Sequence, residues 1–326
     1  MILKRRMVLL DRKIYLAADS GGSKTVWSLI DKSGATVYEL KTAGLGAIKE
    51  GILPIEETVA YAANAVKEIA LPNAVFLSLG GPNTCEVETA LKKHFPNIPT
   101  KVEREACGDA ILQAATYMGC SSVVMCGTGS VAVGDTAFGR KYAGGWGPVY
   151  GDGGSGGGMG QDALRLYLRD VDGFEDSHGL RKIFAFLSDG LDLSSFQDRM
   201  ELKSRAINLD RRTLASYAPK IYELWERGDE CAERLYSDAA QEIAKMARCV
   251  SDDTSDCKVL VCGGFFANKP LLLERCKEEL EKISRAKIVY VPDFSPSVAA
   301  KTAVLQTNGE RVDEEIFKRI LKNERK

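Results

Sequence analysis

Three glycine-rich turns stand where apolar strands end. They are Asp19-Ser20-Gly21-Gly22-Ser23-Lys24-Thr25, Gly127-Thr128-Gly129-Ser130, and Gly263-Gly264-Phe265 after Val259-Leu260-Val261-Cys262. Glycine carries no Cβ, so such a turn lets backbone N–H groups approach an anionic phosphate closely. One turn of this kind is weak evidence. Three, spread along the chain and joined by an acidic Gly/Trp segment, point to a nucleotide held in a cleft between two lobes.

Strands must carry these turns, and the hydrophobic pattern supplies them. Residues 14–19 read as a buried strand, followed by strands at 26–30 and 36–40 with a Lys32-Ser33-Gly34 turn between them. Ile55, Val59, Ala62, Val66 and Ile69 then recur at helical spacing behind Pro54. A strand at 74–79, a helix at 86–95, a strand at 101–103 and a helix holding Asp109, Ile111, Leu112 and Ala115 complete this half. The pattern restarts with strands at 123–126 and 131–133 around the second turn. A long helical stretch over 161–250 comes next, then a strand at 258–262, a helix at 270–283, a strand at 288–291 and a helix from Ser297. Val312, Ile316, Phe317, Ile320 and Leu321 predict a terminal amphipathic helix. A strand, glycine turn, strand hairpin thus occurs twice, and two lobes of related topology account for it most economically.

Composition narrows the function. A chain of 326 residues can bury two cores, and a formal net charge of −1 argues against nucleic acid. No apolar run reaches the ~18 residues needed to span a membrane. The N-terminal MILKRRMVLLDRK is too short in its apolar part for a signal peptide and reads as a ragged start to the first strand. Nine scattered cysteines without a C-x-x-C pair suggest buried free thiols in a reducing cytoplasm. With His94 and His178 as the only histidines, a His-based zinc site or a Ser-His-Asp triad is hard to assemble.

Two fingerprints fail on context. Gly151-x-Gly153-x-x-Gly156 comes after Trp146-Gly147-Pro148-Val149-Tyr150, a poor strand, and the residues after Gly127-x-Gly129-x-x-Ala132 are not helical. Ser23 occupies the place of a Walker glycine, so no P-loop is present. Tyr217, Tyr222 and Trp225 lie beside Leu214, Ile221 and Leu224 and read as core.

In this order, five segments resemble the sugar-kinase/actin-like ATPase superfamily, and within it the N-acetylglucosamine kinase and BadF/BadG/BcrA/BcrD ATPase family. They are Asp19 to Thr25, Gly127 to Ser130, Gly144-Gly145-Trp146-Gly147 with Gly151-Asp152-Gly153-Gly154-Ser155-Gly156, Gly263-Gly264 with Asn268, and Ser295-Pro296-Ser297-Val298. The likeness runs from about Tyr15 to about Val304. It implies an α/β chain of two ribonuclease-H-like lobes, the actin-like ATPase fold, with the nucleotide cleft between them. Residues 1–118 would form the first lobe and 119–303 a larger second lobe with a helical insertion, while 304–326 would pack back on the first.

The resemblance also implies MgATP and phosphoryl transfer to a hydroxyl of an amino sugar or related hexose, a reaction that demands positioning and neutralisation of phosphates. Gly21, Gly22, Ser23, Lys24, Thr25, Gly127, Thr128, Gly129, Ser130, Gly263, Gly264 and Asn268 would contact ATP. Asp19 would hold Mg²⁺ through its water shell. Asp109 would be the base for the acceptor hydroxyl, with Glu105 as a competitor, and Gly81, Gly145, Trp146 and Asp152 would face the sugar. Each charged residue also has a plainer reading: Lys24 as a solvated turn lysine, Asp109 as a helix-start carboxylate favoured by the dipole, Asp152 as a turn aspartate. The chain departs from the family pattern at Gly46, where sugar kinases carry Asn, and at Gly153, where they tend to carry Glu. A homodimer in the cytoplasm is expected by analogy. The alternative is a partner-driving ATPase of the BadF/BcrA activator type without a sugar substrate, and a third class is a non-catalytic sugar sensor.

Overall fold

The computed structural model describes residues 13–22, 24–46, 54–81, 83–104 and 108–324. The expected ragged start at 1–12, Ser23 and Glu105 lie outside these residues. The chain divides into two compact units, residues 1–121 with 291–326, and residues 122–290.

The first unit opens with three antiparallel strands, β1 (Ile14–Ser20), β2 (Lys24–Asp31) and β3 (Thr36–Ala43). Gly34 closes the β2–β3 turn with φ +77°, while Asp31 Oδ1 accepts the N–H groups of Ser33 (2.9 Å) and Ala35 (3.2 Å). Next come helix α1 (Ile55–Ile69), β4 (Ala74–Leu79), α2 (Thr84–His94), β5 (Thr100–Arg104) and α3 (Asp109–Thr116). Strands β4 and β5 run parallel to β1, giving the order β3-β2-β1-β4-β5. The core between sheet and helices holds Leu16, Trp27, Leu29, Val59, Val66, Leu77, Val87 and Phe95.

The second unit repeats this plan. Strands β6 (Ser122–Cys126), β7 (Ser130–Thr136) and β8 (Gly139–Gly144) form the meander, ahead of a single helical turn α4 (Gly147–Tyr150). Strand β8 escapes the sequence pattern because GRKYAG is an exposed edge with no buried alternation. The expected helical stretch resolves into α5 (Gly156–Val171), α6 (Leu180–Ser188), α7 (Phe196–Ile207), α8 (Arg211–Ser216), α9 (Ala218–Glu226) and α10 (Glu230–Cys249). Strand β9 (Lys258–Cys262), helix α11 (Pro270–Glu281) and β10 (Lys287–Tyr290) complete the order β8-β7-β6-β9-β10. Tyr222, Trp225 and Tyr236 pack ring on ring, and Phe265 stacks on Tyr236 at 5.8 Å, so the third glycine turn is anchored in this aromatic core.

The boundary of the second unit differs from the one expected at 303. The chain returns to the first unit at Val291, and α12 (Pro296–Gln306) packs on β1, β4 and α3. Residues Ser297 to Leu305 are all buried, so this helix needs cover on every side rather than on one face. Helix α13 (Glu314–Asn323) then lays Phe317 flat on Tyr117, with ring centroids 4.3 Å apart.

Candidate active site

In the first unit the glycine turn joins β1 to β2, at the edge where the parallel strands β1, β4 and β5 end. Three loops meet there backbone to backbone. Gly21 N donates to Lys24 O (3.0 Å), Gly46 N to Gly21 O (3.3 Å) and Gly80 N to Ser20 O (2.7 Å). A Cβ on Gly44 would lie 2.4 Å from Gly21 O, one on Gly46 2.1 Å from Gly80 O, and one on Gly81 2.6 Å from Gly46 O. No side chain fits at these positions. The missing Asn at 46 is therefore a consequence of close backbone packing, and Gly81 serves this packing too. Ser20 Oγ shares a 2.7 Å hydrogen bond with Thr25 Oγ1 and accepts Leu45 N (3.0 Å), while Thr25 donates to Ala43 O (2.9 Å). The Thr25 hydroxyl thus braces the turn. The exposed faces of Gly21 and Gly22 have nothing within 4 Å of where a Cβ would stand, which leaves room for a phosphate.

Asp19 sits on β1 just before this turn. Burial first, then the charge of Glu324, push its carboxyl up to about 7, against the opposing pull of Lys24 and Lys301. Lys301 of α12 is fully buried and pairs with Glu324, which also accepts the hydroxyls of Ser297 (3.0 Å) and Ser295 (3.3 Å). A divalent cation beside Asp19 would restore its charged form, so the donor chemistry fits Mg²⁺. Among the described residues no group of three or more His, Cys, Asp or Glu could hold a metal by itself.

Asp109 is the first residue of α3 and is exposed, directly after Gly108 at φ +79°. The helix start is fixed from β5: buried Glu103 accepts Ala110 N at 2.8 Å and pairs with Lys101 at 3.2 Å. Sequence reasoning passed over Glu103 because it reads as an ordinary strand residue.

In the second unit the turn after β6 is tied to the start of α5. Gly156 N donates to Gly127 O (2.8 Å), Gly157 N to Thr128 O (3.0 Å) and Gly127 N to Gly129 O (2.8 Å). The carbonyls that would repel a phosphate are thereby turned back on the protein. Close approach explains the glycines opening α5, since a Cβ on Gly157 would lie 2.5 Å from Thr128 O and one on Gly158 2.3 Å from Asp152 O. Ser155 caps the helix, accepting Gly158 N at 3.1 Å and donating to Asp152 O at 2.7 Å.

Asp152 is 3% exposed and has φ +65°. Its Oδ1 accepts Ser130 N at 3.4 Å, and it forms an ion pair with Arg211. Ser130 Oγ donates to Gly153 O (2.6 Å), and Gly145 N donates to Ser130 O (2.8 Å). Gly153, at the position of the family's Glu, faces the side chain of Glu242, whose Oε2 lies 3.3 Å from where a Cβ would stand. Trp146 is 77% exposed at the start of α4. The third turn meets the second at Cys126 O, which accepts Phe265 N at 3.0 Å, and a Cβ on Gly263 would stand 2.3 Å from that oxygen. Asn268 is exposed with φ +55°. This unit therefore gathers Gly127, Thr128, Gly129, Ser130, Gly145, Asp152, Gly263 and Gly264 at the ends of β6 and β9, where open α/β sheets bind ligands.

Arg211, Lys301 and Glu324 were not expected here. A lone lysine inside the apolar run Val298 to Leu305 was the one available signal for Lys301. Arg211 lies in a helical stretch whose periodicity says nothing of the glycine turn it reaches.

The chain is 24% identical over 321 residues to an N-acetyl-D-glucosamine kinase of Dictyostelium discoideum, covering 91% of this chain and 99% of that protein. In fold it is similar to a protein assigned as an N-acetylglucosamine kinase from Chromobacterium violaceum, with TM-score 0.67 and 21% identity over 90% of this chain and 99% of that one. It is also similar to a ROK family glucokinase from Streptomyces griseus in complex with glucose and AMPPNP, with TM-score 0.54 and 17% identity over 90% and 99% of the two chains. The two α/β units are those of the sugar-kinase, actin-like ATPase fold. The profile of one family spans both units, from residue 18 to residue 305, and takes in all three glycine turns with Asp19, Asp109 and Asp152. The chain belongs to the BadF/BadG/BcrA/BcrD ATPase family.

Proposed function

We infer that the protein is an ATP-dependent kinase that transfers the γ-phosphoryl group to a hydroxyl of N-acetylglucosamine or a related hexose. The observation carrying this reading is the junction at Ser130, where the backbone of a phosphate-suited turn donates to the buried carboxylate of Asp152. A residue suited to sugar hydroxyls is thereby fixed against a turn suited to phosphate.

Bound Mg²⁺ would neutralise phosphate charge, with Asp19 holding its water shell. Gly21 and Gly22, the Gly127–Ser130 turn, and Gly263 with Gly264 orient the nucleotide, and Lys24 adds a point charge. Gly145, Trp146 and Asp152 hold the acceptor, while Gly81 keeps the neighbouring backbone close. Asp109 takes the proton of the acceptor hydroxyl as its oxygen attacks the γ-phosphorus, and the bond to the β–γ bridging oxygen breaks to release ADP. The eight described cysteines are free thiols, which suits a reducing cytoplasm.

The relative aligned over nearly its full length is a sugar kinase, which favours this reading over a partner-driving ATPase. The test is ADP release over a panel of hexoses, amino sugars and N-acetyl sugars. One sugar class should raise the rate well above the basal ATPase, and equal rates with and without every sugar would reject the reading.

A further inference from the structure

Arg211 opens the short helix α8, where Asp210 Oδ1 fixes the helix start by accepting Thr213 N at 2.7 Å. Its side chain runs back over the second glycine turn. A Cβ on Gly129 would collide with its Nη2 at 1.9 Å, and one on Gly157 would stand 3.2 Å from its Cγ. Glycine at 129 and 157 thus makes room for a guanidinium as well as for a phosphate.

The guanidinium is incompletely satisfied. It pairs with Asp152 through Nη2 and Oδ2. Arg211 Nε is buried and donates to nothing. A buried N–H of a cation left unpaired is costly, and an oxyanion is the partner that a guanidinium fork fits best. At 38% exposure, the rest of the side chain remains open to an incoming group.

We propose that Arg211 binds a phosphate of the nucleotide at the Gly127–Ser130 turn and, in doing so, gives up its pairing with Asp152, which frees that carboxylate for the sugar. The proposal rests on the kinase reading for its sugar half and on the turn geometry alone for its nucleotide half. Arg211 is then a nucleotide ligand and, toward the sugar, a positioning residue. The exchange makes the two ligands cooperative, and linkage requires each to tighten the other by the same factor.

The experiment is calorimetric titration of the wild-type protein, Arg211→Met and Arg211→Lys. A non-hydrolysable MgATP analogue and N-acetylglucosamine are titrated, each alone and in the presence of the other, with thermal unfolding as the check on folding. In the wild type the analogue should tighten sugar binding at least fivefold. Arg211→Met should weaken the analogue about tenfold or more and bring the coupling factor to one, with sugar bound equally in both states. Arg211→Lys keeps the charge on Asp152 without the planar fork, so it should fold even if the Met variant does not. It should recover only part of the nucleotide affinity. Unchanged analogue affinity in both variants would overturn the proposal, as would reduced affinity with the coupling factor intact. If the wild type binds neither N-acetylglucosamine nor any other sugar of the ADP-release panel, the kinase reading fails by itself, and the analogue titrations still decide whether Arg211 contacts phosphate.

Discussion

At the scale of single residues, exposure and pairing set the proposed catalytic carboxylate apart from a structural one. Asp109 is exposed at a helix start where Glu103 holds the Ala110 N–H, so its replacement by the isosteric Asn should leave the fold intact. Asp109→Asn is expected to lower kcat by roughly 10²- to 10⁴-fold with an unchanged melting temperature, measured by steady-state kinetics and calorimetry. Asp170 is the contrasting case. Arg181 beside it, with Nε at 2.5 Å and Nη2 at 2.7 Å, and then Ser177, hold its carboxyl down at about 2. A depressed folded-state value stabilises above the unfolded value near 4, and the contribution vanishes as pH falls through about 2. Because Arg181 is 56% exposed, solvent screening limits the effect. Asp170→Asn should therefore cost about 1 kcal/mol at neutral pH and progressively less as pH falls toward ~2, read by denaturant titration across that range. Asp19 and Asp109 could be singled out in the sequence because they flank glycine punctuation in a recognisable order. Arg211 could not, because its place over the second turn depends on a side chain crossing from one element to another, and no local pattern encodes that.

At the scale of elements, glycine does two different jobs that a sequence does not distinguish. The start of α5 reads as loop, since Gly156-Gly157-Gly158 is a poor helix former, yet Ser155 caps it and close approach to the second turn requires it. Gly157→Ala would force Thr128 O from its place at 2.5 Å. It should cost about 1–3 kcal/mol of stability and weaken nucleotide binding with it. Gly264 faces open space and is not left-handed, so Gly264→Ala should stay within ~0.5 kcal/mol of wild type in the same unfolding assay. Strand β8 and the placement of α12 were missed for opposite reasons. The first buries too little to show a pattern, and the second is buried on all sides, so that its sequence does not say which sheet it covers.

At the scale of the molecule, the repeated strand order of the two units was visible as a repeated hairpin, because glycine turns mark the hairpins and parallel strands leave apolar runs. Ligand linkage tests both units together. An MgATP analogue at 100 times its Kd should stabilise the protein by about 2.7 kcal/mol, and a productive sugar should add a further shift. No shift with nucleotide would contradict the assignment of the turns.

The most direct measurement tracks labelled phosphorus. ATP labelled at the γ-position is incubated with Mg²⁺, N-acetylglucosamine and the protein, with Asp109→Asn in parallel, and the products are separated. The expected result is label in a sugar phosphate, formed by the wild type and nearly lost in the variant. Label appearing only as inorganic phosphate, at the same rate with N-acetylglucosamine or any related hexose present or absent, would contradict a sugar kinase.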